Sequence, residues 1–392
     1  MFTRDEILRK GISTDSRTVK AGEIFIPLVG PKFDGRKFIP EVVKKGALVL
    51  ETKNGLKALQ QLAAYHRSKF NIPVIGVTGS CGKTTTKDML ASILSQVKPT
   101  LKNEENFNNE IGVPLTLLKL TRKHKFAVIE MAMQKPGEIE ELASIVRPTI
   151  AVVTNIGEAH LGFLKTKKNV ARAKSEIFKH LPHNGWAVIN QDDEYFEHLK
   201  SKVKSQKSKI MTFGIIERAD MTPRYLAGIE LPVPGEHNVY NALAAIAAAK
   251  ILKVKKTSVK KGLESFKPSS KRMHVIDRPD GIRIIDDTYN ANPQSMSAAL
   301  RTLAIMEGRK IAVMGDMLEL GPKAKSAHRR VIKLSRELKI DKVYTYGDLW
   351  PGSCRDKKRI IKNLKKIIRP RDIILVKGSR AMKMEEVVEA LR

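Results

Sequence analysis

A chain of 392 residues is long enough for two or three domains, and 42% hydrophobic residues fill several cores, which excludes global disorder. The longest apolar run, "ALAAIAAA" at 242–249, is too short and too small-sided to span a membrane, and the charged opening "MFTRDEILRKGISTDSR" has no signal-peptide core. Two cysteines exclude a disulfide framework, and the net charge of +31 asks for an acidic partner without making this a nucleic-acid protein. The basic runs "KSKVKSQKSK" (200–209), "KVKKTSVKK" (253–261) and "RDKKRIIKNLKKIIRPR" (355–371) alternate with apolar residues, as solvated faces of ordinary elements do. Aromatic residues are 5%, and neither zinc-finger spacing nor an aromatic–basic RNA-binding motif occurs. The expectation is a cytoplasmic monomer with no membrane segment and no specific nucleic-acid partner.

In chain order, residues 1–71 carry short strand candidates, "EIFIPLVG" and "GALVLE", between Gly/Pro-rich turns. From 72 to 267, the apolar runs "PVIGVTG", "KFAVIEM", "TIAVVTNIG" and "GWAVIN" alternate with helical patterns, as in a buried parallel sheet. From 268 to 392, "IRIIDDTYN", "KIAVMGD", "DKVYTYG" and "DIILVKG" repeat the alternation, which predicts a second doubly wound α/β domain. "SFKPSSKR" (265–272) is the expected hinge between these two.

"VIGVTGSCGKTTTKDML" (74–90) reads as strand, glycine loop and helix, with Met89, Ile93, Leu94 and Val97 on one predicted stripe. The usual phosphate loop has glycine where Val77 stands, and here the glycines are Gly76 and Gly79. "TGSCGKT" nevertheless keeps the groups the chemistry uses. Backbone N–H groups and the helix start cradle phosphate, Lys83 reaches the β/γ-phosphates, and the Thr84 hydroxyl holds Mg²⁺. The absence of Asn-Lys-x-Asp argues against a GTPase.

In "NVARAKSEIFKHL" (169–181), helical spacing puts Val170, Lys174, Ile177, Phe178 and Leu181 on one face and Arg172, Glu176 and Lys179 on the other. Lys174 has two possible fates: its stem lies along the core and its ammonium snorkels out, or it is an inward lysine that loses its proton easily. A neutral amine adds CO₂ to become a carbamate, which binds Mg²⁺ as a carboxylate does. Glu130 and His160 each follow an apolar strand candidate, near the strand ends where α/β sheets place ligands. A lone residue of either type is usually structural; both converging with Thr84 would make a site for two Mg²⁺.

With these residues in view the chain resembles the Mur ligase family. The matching segments are "TGSCGKTTT", "NFNNEIGVPLTLL", "TNIGEAHL" with "ARAKSEIF", "PGEHNVYNALAA", "DDTYNANPQSM", "GDMLELG" and "VKGSRAMKMEEVV". "STDSRTVKAGEIFIPLVG" and "FDGRKF" complete the set at the N-terminal end, and "YNANPQSM" favours the member that adds the terminal dipeptide over the one that adds the third amino acid. The resemblance implies an α/β chain of three domains: a UDP-binding N-terminal domain (1–71), a central P-loop ATPase domain with a mostly parallel sheet (72–267) and a Rossmann-like C-terminal domain (268–392). It implies an ATP-dependent ligase that joins D-alanyl-D-alanine to UDP-N-acetylmuramoyl-tripeptide through an acyl phosphate, in peptidoglycan precursor synthesis.

The resemblance also implies roles for individual residues. Thr78, Gly79, Ser80, Cys81, Gly82, Lys83, Thr84 and Thr85 would hold the phosphates. Asn241 would contact adenine, with Arg272 and Asp287 at the phosphates and ribose. Thr84 and Glu130 would bind one Mg²⁺, and His160 with carbamylated Lys174 the second; Lys83, His160 and Lys174 would be the catalytic set. Asp15, Ser16, Arg17 and Asp34 would lie at the uridine diphosphate end. Asn106, Asn108, Asn109, Asn290, Asn292, Ser379 and Arg380 would contact the substrates.

The sequence departs from the family pattern at Arg36, where histidine is common, and at Ala132 and Lys135, where glycine and histidine are usual. The stretch between "VINQDD" and "LPVPGEHN" is also short. The nearest rival is a ligase of the same family with another acceptor, a different stem peptide or a folate glutamate tail. A rival from another class, an ATP-using nucleic-acid-binding protein, rests on the charge alone.

Overall fold

The computed structural model describes residues 2–31, 33–104, 106–216 and 218–392. The N-terminal segment contains β1 (Ile12–Ser13), β2 (Ile24–Phe25), β3 (Val29–Gly30), β4 (Phe33–Asp34) and β5 (Leu48–Val49). β1, β2 and β5 form a parallel sheet in the order β1-β2-β5, and β3 and β4 a separate antiparallel hairpin. "EIFIPLVG" is therefore two strands rather than one, because Pro27 between them has no N–H for a ladder.

The central sheet contains β6 (Val74–Thr78), β7 (Thr100–Lys102), β8 (Phe126–Glu130), β9 (Ile150–Val153), β10 (Trp186–Asn190) and β11 (Lys209–Phe213). It is parallel throughout, in the order β11-β10-β9-β6-β8-β7. Alternate residues feed two cores. Val74, Ala127, Ile129, Ala151 and Val153 pack under the helices Glu138–Val146 and Lys167–Ser175. Ile75, Val77, Val128, Ile150 and Val152 face the helices Lys83–Ser95, Glu236–Ile251 and Lys256–Glu264. Burial on both faces explains the continuous apolar runs, and "ALAAIAAA" is the buried centre of Glu236–Ile251.

The C-terminal sheet contains β12 (His274–Asp277), β13 (Arg283–Asp287), β14 (Arg309–Gly315), β15 (Lys342–Tyr346) and β16 (Asp372–Lys377). Its order is β12-β13-β16-β14-β15, parallel except for β12. The helices Pro293–Ala304 and Ala324–Glu337 cover one face, and Lys357–Ile367 and Glu385–Leu391 the other. The basic runs lie on exposed helix faces, while Leu199, Val203, Val259, Leu263, Ile360 and Leu364 turn inward.

Two segments tie the sheets together. The helix Gly55–Ser68 puts Leu59 and Leu62 into the N-terminal core and Ala63 into the central one. Its Arg67, buried at 7% exposure, donates from Nε to Val146 O (3.0 Å) and from Nη2 to Arg147 O (3.3 Å), so the central helix end is held by the preceding helix. The predicted hinge is anchored on the central side, where Phe266 is buried and Ser269 Oγ donates to Asp88 Oδ2 at 2.6 Å.

Two helical expectations need correction. The helix Lys83–Ser95 ends before Val97, which is exposed at 41% instead of joining the stripe of Met89, Ile93 and Leu94. The helix bearing Lys174 ends at Ser175 and tightens into a 3-10 turn over Glu176–His180. Glu176 is thereby half-buried, accepting from the N–H groups of Gly137 (2.9 Å) and Glu140 (3.2 Å) at the start of Glu138–Val146, rather than lying on a solvated face.

Gly262 is where two helices touch: a Cβ there would stand 2.4 Å from Ile93 Cα, and its carbonyl accepts from Ser92 Oγ at 2.7 Å. Gly262→Ala is expected to lower stability by about 1–3 kcal/mol through overpacking, beyond any gain in helix propensity. Urea unfolding checks this; an unchanged midpoint would show that the contact relaxes at no cost.

Candidate active site between the central and C-terminal sheets

β6 is buried along its whole length, and the chain passes from Thr78 to the helix Lys83–Ser95 through four residues, Gly79–Gly82. Val77 pairs with Glu130 inside the sheet, so no glycine is needed there. The glycines that matter are Gly79 (φ 151°), where a Cβ would lie 1.8 Å from Thr154 Oγ1, and Gly82 (φ 80°), where one would lie 2.1 Å from Asn241 Oδ1. The end of β9 grips the loop. Ser80 N–H donates to Asn155 O (2.9 Å), Cys81 N–H to Asn155 Oδ1 (3.0 Å) and Thr154 Oγ1 to Cys81 O (2.6 Å).

Glu130, the last residue of β8, is 1% exposed. Its carboxylate accepts from Thr84 Oγ1 at Oε2 (2.8 Å) and from Asn108 Nδ2 at Oε1 (2.8 Å). The fully buried Asn103 brackets the Glu130 backbone, accepting from its N–H (2.9 Å) and donating to its carbonyl (3.0 Å). Lys87 in turn donates to Asn103 O at 2.8 Å and stands 4.0 Å from Glu130 Oε2 and 3.4 Å from Asp88 Oδ1. Sequence reading missed Asn103 and Lys87. The one clue was the position of Lys87, a turn after Lys83 and just before the apolar run Met89–Leu90–Ala91.

Lys83 Nζ donates to Gly79 O at 2.9 Å, and burial lowers its pKa while the Glu130 charge raises it. Lys174 is 1% exposed and finds no acceptor among the described residues. Burial pushes its amine well below the ordinary lysine range, the Lys83 charge adds to that, and Cys81 opposes it. Of the two fates open to Lys174, the snorkelling one is corrected: the nitrogen stays inside, under the phosphate loop. Lys174 does not itself form part of the cavity wall.

Across from the loop a cavity of about 1180 Å³ opens, walled by both lobes. From the central lobe come Ser80, Cys81, Gly82, Lys83, Thr84, Thr85, Glu130, His160 and Asn241, together with Asn106, Asn108 and Asn109; from the C-terminal side come Arg272, Asp287, Asn290 and Asn292. Asn241 donates to Asn238 Oδ1 (3.1 Å) and accepts from Thr86 Oγ1 (3.3 Å). Arg272 lies 3.7 Å from the centre of the Tyr289 ring, and Tyr289 in turn bonds Asn106. Asp287 accepts from Lys377 Nζ (2.6 Å) and from Met273 N–H (3.1 Å). Asn292 caps the helix Pro293–Ala304, and its side chain meets Cys81 Sγ at 3.2–3.3 Å, a direct contact between lobes. His160 pairs not with Glu130 or Lys174 but with Glu319 of the C-terminal lobe, Nδ1 to Oε2 at 2.7 Å.

The remaining expected residues lie elsewhere. Thr78 and Gly79 form the base of the loop rather than the cavity wall. Asp15 and Arg17 pair with each other at 2.6 Å, and Ser16 is buried with its carbonyl taken by Lys45 Nζ; all three belong to the N-terminal sheet region. Asp34 is held by Arg36 in a bidentate pair (2.9 and 2.8 Å), so the unusual arginine occupies the carboxylate next to it. Both aspartates are held at about 2 by these hydrogen bonds. Ser379 uses its hydroxyl to accept from Leu318 N–H (2.8 Å), and Arg380 pairs with Glu385 (2.6 Å); neither lines the cavity. Ala132 is in the cavity wall, while Lys135 is exposed outside it. Among the described residues no cluster of three His, Cys, Asp or Glu side chains is arranged to hold a metal, and no helix is long and apolar enough to cross a membrane.

Residues 77–249 match the Mur ligase middle domain and residues 271–380 the Mur ligase glutamate ligase domain. The chain is similar to the UDP-N-acetylmuramoyl-tripeptide--D-alanyl-D-alanine ligase of Bacillus subtilis (strain 168), 35% identical over 97% of this chain and 93% of that one. It is likewise similar to the enzyme of that name from Escherichia coli (strain K12), 35% identical over 99% and 94%. A crystal structure of MurF from Acinetobacter baumannii superposes with a TM-score of 0.93 at 34% identity, covering 100% of this chain and 98% of that one. The MurF ligase of Thermotoga maritima in complex with ADP superposes with a TM-score of 0.87 at 28% identity, covering 98% and 97%.

Lys174 gives a pH test. A lysine whose pKa is depressed in the folded state binds fewer protons there than in the unfolded chain, between the two values. Its burden on the fold is therefore full below the folded value and is relieved as pH rises toward the ordinary 10.5. In metal-free, bicarbonate-free protein, Lys174→Met is expected to raise stability at pH 7 by about 1–4 kcal/mol, a gain that shrinks toward pH 10. Thermal unfolding across that range checks it; a destabilised variant at every pH would mean the amine has a partner in the fold.

Proposed function

The chain belongs to the Mur ligase family, and on that footing we propose that it is an ATP-dependent ligase with three domains, 1–71, 72–267 and 268–392. It joins D-alanyl-D-alanine to the terminal carboxylate of UDP-N-acetylmuramoyl-tripeptide, releasing ADP and phosphate. The observation that carries the reading is the cavity itself: a phosphate loop with a buried carboxylate on one wall faces asparagines of a second α/β lobe on the other. Since ATP and a nucleotide-linked precursor are consumed, the work is assigned to the cytoplasm, by a monomer.

The residues present fit Mg²⁺. Glu130 offers carboxylate oxygen in a buried setting with the Thr84 hydroxyl 2.8 Å away, which is the hard-oxygen chemistry Mg²⁺ takes. Lys174 is the second indication, because a buried amine with no acceptor is relieved by adding CO₂ and losing a proton, which leaves a carbamate. Thr84 and Glu130 would hold one ion, His160 and carbamylated Lys174 the other. When bound, the ions supply charge neutralisation at the transferring phosphoryl group.

Each remaining step falls to this chain's own groups. The loop N–H groups and Lys83 hold the phosphates, for which Lys83 exchanges Gly79 O for phosphate oxygen. Asn241 reads the base, and Arg272 and Asp287 lie at the phosphate and ribose end. The substrate carboxylate oxygen attacks the γ-phosphorus to give an acyl phosphate and ADP. The dipeptide amine then attacks the acyl carbon, and phosphate leaves from the tetrahedral intermediate. Asn106, Asn108, Asn109, Asn290 and Asn292 line the space in which the two reactants are aligned, which removes much of the entropic barrier. Asp15, Ser16, Arg17 and Asp34 remain assigned to the uridine diphosphate end. Ser379 and Arg380, which do not line the cavity, remain assigned to the dipeptide end, Ser379 through the Leu318 backbone that it accepts from.

Phosphate release from ATP and Mg²⁺ is expected to require both peptide substrates, with a product heavier by one dipeptide residue, the dipeptide less water. Release with a different acceptor alone would assign the chain to another reaction of the family. Lys83→Ala is expected to cut turnover at least a hundredfold, as loss of a preorganised charge at the transferring group does; near-normal turnover would show that the loop has been misread. Lys174→Ala is expected to be inactive and partly rescued by a short-chain carboxylate, and full activity without the carboxylate would remove Lys174 from the site.

A further inference from the structure

His160 and Glu319 meet across the lobe boundary in an unusual backbone setting. Both have positive φ, 55° and 63°, although neither is glycine. Such conformations persist where the surroundings over-determine them, and they cluster at functional sites. Here the surroundings are each other. Gly162 N–H donates to Glu319 O at 2.8 Å, and His160 Nδ1 meets Glu319 Oε2 at 2.7 Å. A Cβ on Gly321 would lie 3.1 Å from Gly162 Cα, so the two loops are in backbone contact. Arg330 and Glu158 pair across the same boundary. Both His160 and Glu319 also line the cavity.

In this bond the carboxylate oxygen is the acceptor, so the hydrogen lies on Nδ1 and Nε2 is the ring nitrogen left to ligate. That is the arrangement by which carboxylates orient metal-binding histidines. We infer that Glu319 is a positioning residue lent by the C-terminal lobe to the central lobe: it fixes the His160 ring through Nδ1 so that Nε2 faces a divalent cation when the lobes are docked. The inference rests on the metal role proposed for His160 and adds to it that the second cation site is built from both lobes. Docking of the C-terminal lobe and readiness of the metal site then become one event.

The test is Mn²⁺ binding to the full-length protein with a non-hydrolysable ATP analogue, read by the electron paramagnetic resonance of free Mn²⁺. Glu319 is 42% exposed at its side chain, so its replacement leaves no cavity in a core. Glu319→Ala is expected to weaken one of two Mn²⁺ by about tenfold or more and leave the other unchanged. The Mg²⁺ needed for half-maximal turnover rises to match, while KM for the dipeptide stays put. Glu319→Gln, which still accepts from Nδ1–H, restores most of the affinity. Two Mn²⁺ at wild-type affinity in Glu319→Ala, with one lost in His160→Ala, would overturn the inference and leave the metal reading standing. Two Mn²⁺ retained in His160→Ala would overturn the metal reading and the inference together.

Discussion

Three ionisable groups buried against the central sheet set the terms for the rest of the structure. Glu130, Lys87 and Lys174 are each 1% exposed, and burying an ion costs several kcal/mol unless bonds replace its water. Glu130 is answered at both oxygens and along its backbone, and Lys87 is answered by Asn103. Lys174 has no hydrogen bond or ion pair among the described residues, and burial together with the Lys83 charge pushes its amine well below the ordinary lysine range. The answered groups make a rigid scaffold, and the unanswered one marks where an outside atom is wanted.

That scaffold explains why the lobes are arranged as they are. Lys87 and Asp88 are adjacent on the phosphate-loop helix; one supports the residue that brackets Glu130, while the other holds Ser269 of the linker. The helix that starts at the phosphates therefore also fixes where the C-terminal lobe departs. Cys81 against Asn292, Asn106 against Tyr289 and His160 against Glu319 close the opposite side of the same cavity. Closure of this kind keeps water from a reactive acyl phosphate.

Much of this was legible in the sequence, and the exceptions have physical causes. Buried parallel strands announce themselves as unbroken apolar runs, which is why β6, β8, β9, β10, β13, β14 and β16 were visible, while the half-exposed edge strand β15 showed only by its place in the alternation. The two-residue β1 is too short to show a period, while β11 at a sheet edge carries lysine and is half exposed. The phosphate loop and Glu130 were read from strand ends, and they line one cavity with the asparagines that the family resemblance named. Asn103, Lys87 and Glu319 were not read, because no periodicity records a hydrogen bond between separate elements, within the central lobe for the first two and across lobes for Glu319. The helical wheel found the buried Lys174 and misplaced Glu176, since it carried one period through a turn that tightens at residue 176.

The central claim is that phosphate activates a carboxylate, and isotope transfer addresses it most directly. Tripeptide nucleotide labelled with ¹⁸O in its terminal carboxylate would be turned over with unlabelled ATP and D-alanyl-D-alanine, and the released phosphate weighed. The account expects one ¹⁸O in each phosphate, carried over when the acyl–oxygen bond breaks. Unlabelled phosphate formed in step with product would contradict it, because the carboxylate oxygen would then never have been joined to phosphorus.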